Sequence, residues 1–207
     1  MPKTRQTMMA DPFAHVTQAL AKARLDTSDY DLNPDIVLPA GRTLRPAGVL
    51  VAIAETRLGA QVYLTKRSSA LKHHPGQIAF PGGKQDKGDP DVTAAALREA
   101  WEEIGLAPEN VDVLGTLPSH ETVTSFTVTP VVARVREPFS PIAEPGEVEE
   151  VFTAPLAHLL EPSNFKVEAR RWRGRQRRYY TVPFGPYYIW GATARILRSL
   201  ADAAGKP

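Results

Sequence analysis

A glycine turn followed by a helix rich in glutamate is the feature that most constrains how this chain folds. The turn lies in Gly82–Asp89, and alanines and a leucine make Thr93–Ile104 the strongest helix pattern in the sequence. On that helix Glu99, Glu102 and Glu103 stand at positions i, i+3 and i+4. Because residues at these spacings lie one above another, the sequence predicts three carboxylates on one helix face.

This carboxylate face needs positive charge nearby. Like charges at such spacings repel by roughly a few tenths of a kcal/mol per pair, and Arg98, four residues before Glu102, offsets only part of that repulsion. A hard divalent cation bound by carboxylate and phosphate oxygens meets the remaining need. Glycines in the turn have no Cβ, so the backbone there can approach a metal ion or a phosphate closely. The pattern favours diphosphate chemistry, and the alternative is a solvated acidic face after an ordinary turn.

Composition excludes several other classes of protein. The 207 residues include no cysteine, which removes disulfides, thiol nucleophiles and cysteine-ligated zinc. The longest apolar run, Ala47–Ala54, has eight residues, whereas a membrane-spanning helix needs ~20, so we expect a cytoplasmic protein with no membrane partner. The net charge of +2 is too small to indicate general nucleic-acid binding. Lys3 and Arg5 lie in a first stretch of ten residues that we interpret as a ragged terminus rather than a transit peptide.

The hydrophobic periodicity predicts an α/β domain built around one sheet. Helices are predicted at Pro12–Leu25, at Thr93–Ile104 with Thr93 as the N-cap, and at Ala192–Ala203. Strands are predicted at Ala47–Ala54, Gln61–Arg67, Gln77–Phe80, Val111–Gly115, Ser125–Val135 and Arg178–Val182. Asp26–Pro46 has the composition of a linker, which divides the chain into a leading segment, residues 1–45, and a main domain, residues 46–203.

The glycine turn and the glutamate helix together resemble the signature of the Nudix hydrolases, G-x5-E-x7-R-E-U-x-E-E-x-G-U, in which U is a bulky aliphatic residue. The run from Arg98 to Leu106 matches its second half, apart from the small Ala100. In the first half Asp89 stands where the signature has glutamate, and eight residues rather than seven separate it from Arg98. The resemblance implies the Nudix fold, an α/β/α sandwich with a mixed β-sheet.

Residues before this box resemble one branch of that family, the coenzyme A pyrophosphatases. The branch has an R-S pair and then the pattern H-x-G-x-(V/I)-x-F-P-G-G-K, matched here by Arg67-Ser68 and by the run from His74 to Lys84. Its members have a similarly lengthened loop containing aspartate. The similarity covers roughly residues 46–200 and includes the segments 127–132, 147–152 and 188–194.

The resemblance implies hydrolysis of the diphosphate bond of coenzyme A or its derivatives to 3′,5′-ADP and 4′-phosphopantetheine or its acyl form. It implies Mg²⁺ or Mn²⁺ as cofactor, with Glu99 and Glu103 as metal ligands and Glu102 as a third ligand or the partner of Arg98. The general base is left open among Glu103, Glu147 and Glu150. The predicted catalytic set is Arg98, Glu102, Glu103 and Glu147. The residues expected to contact the substrate are Arg67, His73, His74, Gly82, Gly83 and Lys84.

Two other functions stay open from the sequence. One is a Nudix pyrophosphatase that acts on ADP-ribose, dinucleotides or oxidised nucleotides, and the motif before the box argues against it. The other is an inactive Nudix module that binds a nucleotide or RNA, and the full set of glutamates argues against that. The expected partner is a small-molecule substrate. A homodimer is left open, because Phe13, Val16 and Leu20 can pack the first helix on the domain or on a second subunit.

Two clusters have more than one interpretation. Six arginines lie in Arg170–Arg178. We interpret them as a basic hairpin that binds the 3′-phosphate of coenzyme A, as a solvated strand pair or as a weak RNA-binding patch. Tyr187, Tyr188 and Trp190 form either a stacking surface for adenine or part of the core.

Overall fold

The structure, a computed structural model, describes residues 11–172 and 174–205, and the ragged terminus predicted at residues 1–10 lies outside them. This part of the chain forms four α-helices and eleven strands. The helices are α1 (Pro12–Lys22), α2 (Val92–Ile104), α3 (Leu156–Leu160) and α4 (Ala192–Ala204). The strands are β1 (Thr27–Ser28), β2 (Arg45–Thr56), β3 (Gly59–Arg67), β4 (Ile78–Ala79), β5 (Gly82–Lys84), β6 (Val111–Thr116), β7 (His120–Glu121), β8 (Phe126–Val135), β9 (Val148–Pro155), β10 (Lys166–Trp172) and β11 (Arg175–Thr181).

Strand β2 is the centre of a mixed sheet that has nine strands within the described residues. It runs parallel to β8, with Arg45 opposite Phe126 and Ile53 opposite Arg134, and antiparallel to β3, with Ile53 opposite Val62. Strand β5 pairs with the first part of β2, and β9 pairs with β3. Strands β10 and β11 form a separate two-stranded sheet. The domain is built around one mixed sheet, as predicted, and the hairpin of β10 and β11 lies outside it.

Helices cover both faces of the large sheet. On one face Ile104 of α2 packs in a core cluster with Leu50. On the other, Val16 of α1 and Leu197 of α4 pack in a cluster with Val51. Strand β2 is thus buried on both faces, which accounts for its continuous apolar run. The result is the predicted α/β/α sandwich with a mixed sheet. No helix in the described part of the chain is long and apolar enough to cross a membrane.

Most predicted elements are confirmed to within a few residues, and three details are wrong. Helix α1 ends at Lys22, because Ala23 is already extended. The N-cap of α2 is Asp91 rather than Thr93, since a carboxylate oxygen of Asp91 accepts the N–H of Ala94 at 2.8 Å. The strand predicted at Arg178–Val182 begins earlier, as β11, and pairs with β10 outside the large sheet. The sequence did not predict β1, β5, β7, β9 or α3, whereas β10 and β11 form the strand pair suggested for the arginine cluster.

The leading segment packs on the rest of the protein. Phe13 and Val16 are buried in the same core cluster as α4, so α1 packs on its own domain. Within the predicted linker, β1 pairs parallel with β7. Beside this pairing the buried ring of His120 contacts the Thr27 hydroxyl at 2.9 Å and the Asp29 carboxylate at 3.2 Å. The division of the chain at residue 46 stays a prediction.

Gly48 sets the distance between β2 and α2. A Cβ added there would lie 2.0 Å from the carbonyl oxygen of Val92 and 3.1 Å from the Cβ of Ala96. Helix α2 therefore begins in direct contact with the backbone of the central strand. This contact fixes the distance between the start of the helix and the sheet, and so helps to position the glutamates further along the helix.

We expect Gly48→Ala to destabilise the fold by about 1–3 kcal/mol, because the added methyl overpacks a site bounded by backbone. Urea unfolding followed by circular dichroism measures the change. Gly88→Ala is the matched control, since a Cβ at Gly88 meets nothing within 4 Å. Equal stability of the two variants would contradict this account.

Candidate active site

Helix α2 presents its three predicted glutamates to very different surroundings. Glu103 is buried with 4% of its surface exposed, Glu99 is half-buried, and Glu102 is exposed. Ala100 and Ile104 pack in the core and draw this end of the helix onto the sheet. The three carboxylates lie along one side of the helix, but only Glu103 is fully enclosed.

The first three residues of the predicted glycine turn form strand β5, which lies directly on two of these carboxylates. The N–H of Gly82 donates to Oε2 of Glu103 at 3.0 Å. Gly82 has φ of 151°, a conformation that favours glycine. A Cβ at Gly83 would lie 2.5 Å from Oε1 of Glu99. The glycines do allow a close approach, here of the backbone to Glu99 and Glu103.

Arg98 connects the helix to the loop before it. Its guanidinium donates through Nε and Nη2 to the two carboxylate oxygens of Asp89, each at 3.0 Å. Its Nη1 donates to Glu99 at 3.0 Å and to Glu102 at 2.8 Å, so the predicted Arg98–Glu102 contact is confirmed. The Asp89 hydrogen bonds raise the pKa of Arg98, and Arg98 in turn lowers the pKa of Asp89. One guanidinium thus forms hydrogen bonds with three carboxylates.

Asp89, which departs from the Nudix signature, also shapes the loop that it ends. Its Oδ2 accepts the N–H of Asp86 at 2.8 Å, which closes a tight turn. Lys84 is exposed and forms an ion pair with Asp86 at 2.9 Å, so in this structure its ammonium lies against the loop. The lengthened loop is held by Asp89 from both sides.

The carboxylates of this site raise one another's pKa. Burial raises the pKa of Glu103 to about 7, and the charges of Glu99 and Glu147 act in the same direction, while the Gly82 N–H and Arg67 oppose them. Burial also raises the pKa of Glu99, against the opposing charge of Arg98. The N–H of Glu144 donates to the carbonyl of Glu103 at 3.0 Å and the N–H of Glu147 to the carbonyl of Glu144 at 3.1 Å, so the segment of Glu147 lies beside the end of α2. Negative charge here is therefore only partly balanced.

Arg67, at the end of β3, approaches the same cluster from the sheet side. Its Nη1 lies 3.9 Å from Oε1 of Glu103. The loop that follows closes back on Arg67, since the N–H of Gly76 donates to its carbonyl at 3.1 Å. The N–H of Ser68 donates to the carbonyl of Glu147 at 2.8 Å, which brings the Glu147 segment beside the loop. The Arg67-Ser68 pair and the Nudix box thus meet at Glu103.

The two predicted histidines lie on this loop, and both are exposed. His74 has a left-handed backbone with φ of 54°. Partial burial within the loop lowers the pKa of His74, and so does the neighbouring charge of Arg67. The N–H of Gly76 donates to the carbonyl of Arg67, so the loop brings His74 to within two residues of a contact with Arg67.

A cleft of about 400 Å³ lies beside the end of β3. Its lining includes Lys66 and Ile78 together with the aromatic residues Tyr187, Tyr188 and Trp190. Lys66 directly precedes Arg67 in β3, so the end of this strand contributes to the cleft through Lys66 and to the contact with Glu103 through Arg67. The aromatic segment is neither wholly core nor wholly surface.

Glu150, a candidate base, belongs to this cleft rather than to the carboxylate cluster. It lines the cleft and accepts a hydrogen bond from the hydroxyl of Tyr187 at 2.6 Å. The ring of Tyr187 stacks on Phe152, with the ring centroids 3.5 Å apart. The structure therefore holds Glu150 against Tyr187 in the cleft.

The donor set at the end of α2 fits a hard divalent cation. In the described part of the chain no three histidine, aspartate or glutamate side chains are already arranged to hold a metal ion. Arg98 binds Glu99 and Glu102, and Gly82 binds Glu103. All three are nevertheless oxygen donors, the type that Mg²⁺ and Mn²⁺ prefer. A cation beside Glu99 and Glu103 would also relieve the repulsion and desolvation that raise their pKa values.

Two features of the site were missed from the sequence. The double hydrogen bond between Asp89 and Arg98 could have been inferred from the extra residue in the box, because a longer loop needs an anchor. The pairing of Tyr187 with Glu150 has no local signal, since the two residues meet only through the packing of distant segments.

Comparison with known proteins agrees with this geometry. Residues 44–175 match the family model of the NUDIX domain, which is more than half of the chain. The protein belongs to the Nudix hydrolase family, whose members generally use divalent metal ions and act on diphosphate compounds.

Its relatives include proteins described as uncharacterized Nudix hydrolases NudL. The one from Enterobacter sp. (strain 638) is 39% identical over 187 residues, which cover 85% of this chain and 97% of that protein. The one from Klebsiella pneumoniae (strain 342) is 40% identical over 189 residues, covering 86% and 98%.

Solved structures that resemble this chain are also Nudix proteins. RenU of M. Smegmatis has a TM-score of 0.48 at 24% identity, covering 58% of this chain and 82% of that one. The NUDIX domain of Shewanella oneidensis NrtR, solved with ADP ribose, has a TM-score of 0.46 at 19% identity, covering 64% and 84%.

We expect Glu103→Gln to stabilise the metal-free protein at high pH. The pKa of Glu103 is raised from 4.5 to about 7 on folding, so the folded state is penalised for the charge above pH 7 and not below pH 4.5. The amide oxygen of glutamine still accepts the Gly82 N–H. The gain should approach about 3 kcal/mol at pH 8 and vanish near pH 4.5.

Thermal unfolding in EDTA at both pH values measures this difference. Glu102→Gln is the control, because its exposed carboxylate should change stability little at either pH. A Glu103→Gln variant that unfolds at a lower temperature than the wild type at pH 8 would contradict the prediction.

Proposed function

We propose that this Nudix hydrolase cleaves the diphosphate bond of coenzyme A or its derivatives, giving 3′,5′-ADP and 4′-phosphopantetheine or its acyl form. One observation carries the proposal, the 3.9 Å approach of Arg67 to Glu103. Arg67 belongs to the pattern that resembles the coenzyme A pyrophosphatase branch, and Glu103 belongs to the Nudix box. The approach supports a role for both patterns at one site.

The cofactor of this reaction is Mg²⁺ or Mn²⁺, with Glu99 and Glu103 as its principal ligands and Glu102 as a third ligand or as the partner of Arg98. When bound, such a cation neutralises the diphosphate and lowers the pKa of a water molecule. Arg98 acts as a positioning residue, because its hydrogen bonds fix the orientation of Glu99 and Glu102.

Positive groups around the carboxylates bind the diphosphate in this proposal. The guanidinium of Arg67 suits phosphate oxygens and is 27% exposed beside Glu103. His74 lies next to Arg67 and adds a donor when protonated. The backbone of Gly82 and Gly83 borders the same space, and Lys84, which is paired with Asp86, and the exposed His73 are further candidates for contacts with the substrate.

Two carboxylates suit the general base by position, Glu103 and Glu147, because they lie in the same cluster. Glu150 is less suited, since Tyr187 holds it in the neighbouring cleft. A base must lie within hydrogen-bonding reach of the water that it deprotonates. The variants Glu103→Gln and Glu147→Gln distinguish the two.

The first test is product analysis by mass spectrometry with coenzyme A, ADP-ribose and NADH in parallel, each with Mg²⁺ or Mn²⁺. We expect 3′,5′-ADP from coenzyme A with the wild type, and a loss of at least about a hundredfold in kcat with Glu103→Gln, because ligand and transition-state stabilisation are removed together. Glu55→Gln, at an exposed position of β2, is the matched control. Turnover of ADP-ribose or NADH in preference to coenzyme A would refute the substrate, and no turnover at all would favour a binding module.

A second test concerns Asp89. We expect Asp89→Ala to raise the Mg²⁺ concentration needed for half-maximal activity by about tenfold, because Arg98 loses its anchor and holds Glu99 and Glu102 less firmly. Lys87→Ala, an exposed change in the same loop, should leave that concentration unaltered. An Asp89→Ala enzyme with wild-type Mg²⁺ dependence would contradict the positioning role of Arg98.

A further inference from the structure

The hairpin of β10 and β11 has two unlike faces. Strand alternation places Glu168, Arg170 and Trp172 on one face with their cross-strand partners Tyr179, Arg177 and Arg175. Arg171 and its partner Gln176 lie on the opposite face. We call the first of these the aromatic-arginine face. It differs from the opposite face in what it contacts.

The aromatic-arginine face docks on the aromatic side of the cleft described above. The guanidinium of Arg170 lies 4.6 Å from the ring centroid of Trp190, and the ring of Tyr179 meets Trp190 edge-on at 5.2 Å. The hydroxyl of Tyr188 donates to Glu168 at 2.5 Å. Trp190 and Tyr188 themselves line the cleft. Arg170 therefore stands at the rim of this cleft, whose lining also includes Lys66, the neighbour of Arg67 in β3.

The charges of this face are not balanced within the protein. Arg170 and Arg177 are direct cross-strand partners, an arrangement of like charges that is destabilising in an antiparallel pair. Among residues 11–172 and 174–205 neither arginine forms an ion pair, and Glu168, the acid on this face, is bound by Tyr188. Both guanidinium groups stack on aromatic rings, Arg170 on Trp190 and Arg177 on Trp172. A stacked guanidinium keeps its in-plane N–H donors free for an anion.

We propose that Arg170, assisted by Arg177, binds a phosphomonoester group on the ribose of the substrate. The inference rests on the proposed function, because coenzyme A carries a 3′-phosphate on the same ribose that carries the diphosphate. A nucleotide in the cleft then spans from the carboxylate cluster near Arg67 to the rim at Arg170. The two arginines distinguish substrates that have this phosphate from those, such as ADP-ribose and NADH, that lack it.

The charge of the cluster alone would not single out these residues. Arg170–Arg178 holds six arginines, and charge density alone does not distinguish one of them from another. The structure separates Arg170, stacked at the cleft, from Arg171, on the other face of the same strand. This pair provides a test in which net charge, hairpin position and residue type are matched.

Binding of two product nucleotides measures the proposal without turnover. Isothermal titration calorimetry in EDTA compares 3′,5′-ADP with 5′-AMP, which differ only in the 3′-phosphate, on the full chain. We expect the wild type and Arg171→Ala to bind 3′,5′-ADP at least about tenfold more tightly than 5′-AMP, since charge-assisted hydrogen bonds carry the difference. Arg170→Ala should bring the ratio close to one, and Arg170→Lys should restore part of it.

Kinetics give a second reading. With Arg170→Ala we expect the KM for coenzyme A to rise about tenfold at unchanged kcat, while the KM for dephospho-coenzyme A stays as in the wild type. Equal effects of Arg170→Ala and Arg171→Ala would overturn the proposal in favour of a general charge effect. Equal wild-type affinity for 3′,5′-ADP and 5′-AMP would also overturn it.

The two proposals fail in different ways. If 3′,5′-ADP is preferred through Arg170 but coenzyme A is not hydrolysed, the phosphomonoester site stands and the proposed substrate is wrong. If coenzyme A is hydrolysed but Arg170→Ala leaves both nucleotide affinities unchanged, the substrate stands and the site is refuted.

Discussion

Direct contact between the backbones of helix α2, strand β2 and its paired neighbour β5 is the constraint on which the rest of this site depends. A Cβ at Gly48 would strike the carbonyl of Val92 at 2.0 Å, and one at Gly82 would strike the carbonyl of Gly48 at 2.4 Å. Strand β5, strand β2 and the start of α2 are therefore packed with no side chain between them. Close packing of this kind transmits small displacements, so the glutamates at the far end of α2 have little freedom relative to the glycine strand.

This rigid packing encloses carboxylates whose charged forms are destabilised by burial. Glu103 is held at 4% exposure with its pKa raised to about 7, and Glu99 is raised as well. Among the described residues, Arg98 and Arg67 are the cations that oppose this charge at close range. Buried carboxylates of this kind reduce the stability of the fold, and they suit the site to a positively charged ligand. This is the usual relation between stability and activity at a functional site.

The parts of the fold that could be predicted from the sequence are those whose signal is local. The apolar run of β2 and the capped, alanine-rich α2 have such signals, and both are found where they were predicted. The same holds for α4, whose apolar spacing is regular. Strand β5 was interpreted as a turn because two successive glycines favour turns, and its strand conformation arises only from pairing with β2.

Other features depend on long-range packing, which no short pattern contains. Strand β10 is exposed along its whole length and β11 is mostly exposed in its first half, so neither strand shows the alternation of a half-buried sheet. At the site, the relation between Glu99, Glu102 and Glu103 follows from helix spacing alone, whereas the enclosure of Glu103 requires β5. The proximity of Arg67 to Glu103 joins segments that are separated by the whole of the box loop and α2.

Helices α1 and α4 pack against each other on the face of the sheet opposite α2, and both lie outside the matched NUDIX region of residues 44–175. Val16 and Leu197 are each at most 1% exposed in the cluster that covers Val51 of the central strand. The cooperative folding unit of this protein is therefore larger than the segment by which its family is recognised. A fragment cut at the limits of that segment would leave one side of the sheet open to water.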